Sequence, residues 1–271
     1  MQLFSDQEFG ERFAIALQAI ADEGFDLHVH TENQDVGLPR SSSIFACARQ
    51  QQHRLQHRSI TDPRPPAEAW APSMGAAGQE LVALTLARMG YTVTPPQDMP
   101  HDVTSGHFDF ELSGLDFGDE VLIGDAKIKS VVSGRFMFRD GPDVAYVGQL
   151  QDYLRKRGRK KAVLIVCPHD ISAYTNEVVR YKVGQVAPLV QRYFIEADAR
   201  LQQLVVDRAA AIITANELNL IVGREYNPAK DNFPCGWCAT RTHCERDEDE
   251  VRKDPDKAYI VPPVPPMYTN D

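Results

Sequence analysis

VLIGDAKIK, residues 121–129, reads as a strand that begins buried and ends in charge. The run VLI suits a sheet interior, and Asp125 and Lys127, one residue apart, leave the same face of a strand. An aspartate closing an apolar run needs a partner or a metal, because burying it unpaired is costly. Upstream, GHFDFELSG (106–114) alternates in the same way and carries Asp109, and the intervening SGLDFGDE (113–120) supplies turn residues. An antiparallel hairpin would set Asp109 beside Asp125, close enough for both to hold one hard cation through oxygen. Such a cation polarises a phosphodiester and lowers the pKa of a water, while Lys127 orients that water or offsets developing charge. Downstream, Tyr146, Gln149 and Tyr153 in AYVGQLQDY (145–153) have the spacing of one side of a helix. Taken singly, Asp-Ala-Lys can be a solvated edge and Gln-x-x-x-Tyr a helix surface. The ordered set points to a metal-dependent nuclease.

Cysteine supplies the second signal. Cys235, Cys238 and Cys244 lie together in PCGWCATRTHC (234–244), and Cys47 lies far upstream in SSSIFACAR. Four thiolates can hold a structural zinc or an iron–sulfur cluster, and spacing alone leaves both open. Cys167 ends the strand-like run AVLIVC and reads as a small buried hydrophobe.

The early cysteine, the Asp…Asp-x-Lys core, the Gln-x-x-x-Tyr helix and the late Cys-x2-Cys-x5-Cys resemble the RecB-like PD-(D/E)XK exonucleases that carry an iron–sulfur cluster. Within them the chain looks like the CRISPR-associated Cas-four type and its free-standing phage relatives. The resemblance runs from about Cys47 to Cys244 and implies a restriction-endonuclease-like core. It makes Asp109, Asp125 and Ala126 ligands of Mg²⁺ or Mn²⁺, Lys127 the catalytic lysine, and Gln149 and Tyr153 parts of the same site. Cys47, Cys235, Cys238 and Cys244 become ligands of a 4Fe–4S cluster. It also implies digestion of single-stranded DNA from its ends, in recombination or CRISPR adaptation, with an integrase as one partner. The family helix Gly-x-x-x-His, whose histidine binds metal, corresponds here to GAAGQELVAL (75–84). Gln79 stands in the histidine's place with Glu80 beside it. Glu80 either takes over as ligand or is simply an acidic residue in a helix's first turn, where the dipole favours it. The rival reading is a catalytically silent DNA-binding or assembly subunit of the same fold.

The 271 residues, with 43% apolar and 25% charged content, are ordinary for a globular protein. No apolar run reaches membrane-spanning length and no signal peptide opens the chain, so the expected location is cytoplasmic with no membrane partner. A net charge of −9 runs against nucleic-acid binding, so distribution matters more than the sum. RKRGRKK (155–161) reads as a phosphate-binding patch or as a helix end complementing its dipole. Arg49, His53, Arg54, His57 and Arg58 form a second basic group, and ERDEDE (245–250) should face away from any phosphate path.

Ser5 and Glu8 predict a capping box before a helix with Phe13, Leu17 and Ile20 on one face. TDPRPPAEAWAPS (61–73) reads as an extended connector, followed by a helix over about 75–89. VVRYKV (178–183) reads as a strand, and Pro188 as the start of a long helix carrying Leu189, Tyr193, Ala197, Leu201 and Leu204. The tail VPPVPP (261–266) should be extended. The element order predicts an α/β fold with a mixed central sheet flanked by helices, in one nuclease domain over 1–271. Its core spans about 74–183. A helical, cysteine-ligated subdomain joins about 40–60 to about 186–250.

Overall fold

A computed structural model describes residues 4–23, 37–62, 66–96, 99–129, 137–138, 140–168, 190–226, 235 and 238–264. Helix α1 (Asp6–Glu23) starts at the predicted box: Ser5 N donates to Glu8 Oε2 at 2.9 Å, and Glu8 N to Ser5 Oγ at 3.2 Å. Helices α2 (Ala48–Leu55) and α3 (Pro66–Met89) precede strands β1 (Thr92–Thr94), β2 (Phe110–Ser113) and β3 (Leu122–Lys129). Helix α4 (Val144–Arg157) crosses over to β4 (Lys161–Pro168), and β5 (Gln191–Glu196) follows. Helix α5 (Ala199–Glu217), the short β6 (Ile221–Val222), α6 (Arg241–Lys253) and β7 (Ala258–Tyr259) complete the described chain.

Strands β1–β5 form one sheet in sequence order, antiparallel except for the parallel pair β3–β4, which α4 connects, and β6 and β7 form a separate parallel pair. That is the mixed sheet the sequence predicts. Period-two alternation assigns its faces. Leu122 and Ala126 of β3 pack with Val163, Ile165 and Cys167 of β4 against α1 and α3, where Phe9, Phe13, Val82 and Leu86 meet them. The odd-numbered residues of β3 turn to α4, and there Ile123, Leu164 and Val166 pack on Val147, Leu150 and Tyr153. Asp125 and Lys127 share this second face.

A third apolar cluster joins Ile44, Phe45 and Ala48 to Val205, Ala209 and Ile212 of α5, with Val222. Val261 and Val264 of the tail pack against it, so this part of the tail is a strap over the surface. Arg208, fully buried, donates to the carbonyls of Ile44 and Ala46 and pairs with Glu225, which satisfies a charge that apolar neighbours alone would not tolerate.

Two expectations are corrected. Residues 66–73 are helical: Pro66 occupies the first position of α3, where no amide hydrogen is needed, and AEAWA consists largely of good helix formers. The stretch after Pro188 is not one long helix. Residues 191–196 pair with β4 as β5, and the helix begins only after Asp198, whose side chain accepts from Arg200 N and Leu201 N. Its cap is a local signal that the apolar spacing overran. The proposed strand at 178–183 lies outside the described residues.

Candidate active site

Asp125 is 1% exposed near the middle of β3, between sheet and α4. Asp109 stands one residue before β2. Its amide donates to Gly124 O at 3.1 Å, and its Oδ2 accepts from Ala126 N at 2.7 Å. The hairpin therefore seats the two carboxylates around one short piece of β3. Lys127 Nζ lies 2.7 Å from the buried Asp125 Oδ2, and among the described residues this ion pair is the one polar partner of that oxygen. Gln149 Nε2 donates to Asp125 Oδ1 at 3.1 Å and to Tyr153 Oη at 2.8 Å. Tyr146, one turn earlier, presents its ring to Lys127 and Lys129 at 5.4 and 4.8 Å from the centroid.

Close packing holds α3 on the strand and α4 against the segment before α2. A Cβ on Gly78 of α3 would fall 2.3 Å from Ile128 Cγ1, and one on Gly148 of α4 would fall 2.5 Å from the Phe45 ring. Asp152, a buried residue of α4, accepts from Ser41 Oγ and Thr104 Oγ1, each at 2.5 Å, and pairs with Arg155 and Lys156. This network ties the approach to Asp109 to the helix that carries Gln149 and Tyr153.

Gln79 and Glu80 of α3 are placed differently. Gln79 meets the site, its Nε2 donating to Ala126 O at 3.2 Å. Glu80 is half-buried on the same turn, and among the described residues no hydrogen bond or ion pair joins it to Asp109, Asp125 or Lys127. Lys129, two residues past Lys127, is the neighbour the sequence reading passed over; period two alone places it on the same face.

The electrostatics follow from crowding. Burial, then the Asp125 charge, pushes the Asp109 carboxyl up to about 7, although Lys127 and the Ala126 amide pull the other way. Burial works against the Lys127 ammonium, but Asp125 and Asp109 more than offset it and raise its pKa. Burial chiefly holds Tyr153 as a neutral phenol far above its usual range. A carboxyl with a raised folded pKa contributes stability at low pH that is lost as pH rises from 3.8 through about 7. Without divalent cation, the melting temperature of the parent should therefore fall over that interval more steeply than that of Asp109→Asn. Parallel melting curves in EDTA would expose the idea as wrong.

The basic stretch 155–161 is largely committed inside the protein. Arg155 pairs with Asp102 and Asp152, Arg157 and Arg159 with Glu111, and Lys161 with Glu120. Gly158, at φ 59°, ends α4 in the left-handed conformation. The second basic group clamps α2 to α6: Arg49 pairs with Glu248 at 2.9 Å, while His53 Nε2 and Arg58 both reach Asp247 at 2.6 Å. The acidic run of α6 thus faces its own basic helix.

Beside that clamp, Cys47, Cys235, Cys238 and Cys244 line one cavity, with Arg49, His53, Arg224 and Thr240 around them. All four are free thiols. Burial pushes the Cys47 thiol up to about 12. Arg49 donates to Cys244 Sγ at 3.7 Å, and Asp62 accepts from Thr242 N at 2.8 Å, capping α6 from a distant segment. Among the described residues no three His, Cys, Asp or Glu side chains converge closely enough to hold a single metal ion.

No family model matches the chain. No curated protein matches it either. Among solved structures it is similar to an alkaline exonuclease (LHK-Exo) from Laribacter hongkongensis, at 14% identity and TM-score 0.46 over 89% of this chain and 98% of that one. It is also similar to SSO0001, at 15% identity and TM-score 0.43 over 87% and 95%. A phage-related exonuclease from Haemophilus somnus 129PT shares 14% identity at TM-score 0.43 over 67% and 94%. What this site can do follows from its own residues.

Proposed function

We propose that the chain is a divalent-metal-dependent deoxyribonuclease that hydrolyses phosphodiester bonds from DNA ends, with single-stranded DNA as substrate. The carrying observation is the buried Asp125 carboxylate in a corner shared with Asp109, its Oδ2 met by the Lys127 ammonium at 2.7 Å. Two carboxylates and a nearby backbone carbonyl form an all-oxygen donor set. That set suits Mg²⁺ or Mn²⁺, whose other positions go to water and substrate phosphate. Asp109 and Asp125 would hold the cation, with the Ala126 carbonyl beside them. When bound, it would polarise the phosphodiester and lower the pKa of a water. Lys127, kept cationic by its neighbours, offsets charge developing on the phosphate. Gln149 braces Asp125 against Tyr153, and the neutral phenol adds no charge to repel substrate.

The four cysteines are assigned to one 4Fe–4S cluster. Thiols spread around a cavity suit a cluster in which each iron takes its own sulfur, better than one tetrahedral zinc. The test of catalysis uses anaerobically purified protein on end-labelled DNA with Mg²⁺, Mn²⁺ or EDTA. Metal-dependent loss of terminal label is expected, and Lys127→Ala should bind the same DNA yet lose turnover. Loss of binding as large as the loss of rate would make Lys127 a phosphate contact instead.

A further inference from the structure

We infer that Lys129 is a substrate phosphate-binding residue, seated on Tyr146 to receive the DNA backbone next to the bond being cut. The inference rests on the nuclease reading of the Asp109–Asp125 corner. Asp125, Lys127 and Lys129 leave one face of β3, and that face opens toward the strand's C-terminal end. Asp125 is buried, whereas Lys127 and Lys129 are half-buried. The two lysines share the Tyr146 ring, at 5.4 and 4.8 Å from its centroid. Lys127 is neutralised by Asp125 at 2.7 Å. Among the described residues Lys129 has no carboxylate partner, and an aromatic face offsets only a fraction of a charge.

The surroundings sharpen the contrast. In a chain of net charge −9, Arg155, Lys156, Arg157, Arg159 and Lys161 all lie against carboxylates. Among the described residues, Lys129 is the cation at this corner whose charge no carboxylate takes up. With Lys127 held by Asp125, the Lys129 ammonium is the charge on this ring left to meet an incoming anion. A phosphodiester held at the Asp109–Asp125 corner would bring that anion within reach of Lys129. The ring pre-orients the long side chain, which lowers the entropy lost on binding.

The test measures binding of a fluorescent single-stranded oligonucleotide without divalent cation, together with KM and kcat in Mn²⁺, for the parent, Lys129→Gln and Lys129→Arg. Losing one phosphate contact should reduce the slope of log K against log salt by about 0.7 for a single strand. The binding deficit of Lys129→Gln should therefore shrink about threefold between about 50 and about 200 mM salt. KM should rise with kcat held, and Lys129→Arg should restore both slope and KM. An unchanged slope and KM in Lys129→Gln would overturn the inference alone, as would a fall in kcat with KM intact. A parent that neither binds nor cuts the oligonucleotide overturns the nuclease reading and this inference together.

Discussion

Asp125→Asn should reduce metal-dependent DNA cleavage by about three orders of magnitude or more while leaving the protein folded. The substitution keeps the size of the side chain and an oxygen for Gln149, so α4 and β3 need not move. What it removes is the charge of the buried carboxylate that stands beside Asp109 and holds Lys127 at 2.7 Å. An amide oxygen is a far weaker ligand for a hard divalent ion. Stability responds in two opposed ways. Lys127 loses its nearest counter-charge, which for a buried pair costs about 3–5 kcal/mol when nothing replaces it. Here Asp109 stands beside it, and with Asp125 neutral the Asp109 carboxyl loses the repulsion that helps push it up to about 7. It can then ionise and take over the lysine. The net change in melting temperature should be small, and the pH at which Asp109 titrates should fall. A folded variant that degrades DNA at the parental rate in Mn²⁺ would remove Asp125 from the site.

That corner was legible in the sequence because its signals are local. Period two in VLIGDAKIK and in the run after Gly106 put the carboxylates on neighbouring arms of a hairpin, and the spacing of Tyr146, Gln149 and Tyr153 put those three on one side of α4. The same rule extends to Lys129, which the motif-centred reading left out. Partners distant in sequence were not legible. RKRGRKK could not announce that Asp102, Glu111 and Glu120 would take up its charge, since those residues meet it only through the sheet and the turn before Asp109. Nor could ERDEDE announce Arg49 and His53 on α2 and Arg58 just after it, which lie far away in the chain. The helical start at Pro66 was hidden by proline composition, and β5 by apolar residues whose spacing also fits a helix. Charge totals and propensities are local averages, and tertiary contacts override both.

Cys47→Ala should cost far more than deleting one sulfur suggests. If Cys47, Cys235, Cys238 and Cys244 share one metal centre, that centre joins the start of α2 to the approach of α6. Its binding energy becomes folding energy, because no such site exists in the open chain. By analogy with a cross-link over a similar span, chain entropy alone would contribute about 5 kcal/mol. The structure lowers that share, because Arg49–Glu248, His53–Asp247 and Gln52 on the carbonyl of Leu220 already hold the two ends together. What remains is the metal–sulfur term. The variant should lose its metal, and its melting temperature should drop by about 10 °C, since each kcal/mol is worth about 2–4 °C in a chain of this size. Cys167→Ala is the control. Its thiol is buried in the core on the α1–α3 side of the sheet, away from the cavity, and truncation there should cost about 1 kcal/mol. Protein prepared without air should be brown and bleach on oxidation if the centre is iron–sulfur, and colourless if it is zinc. A Cys47 variant as stable and as metal-loaded as its parent, or a parent holding neither metal, would show that the four thiols share a cavity without sharing a ligand.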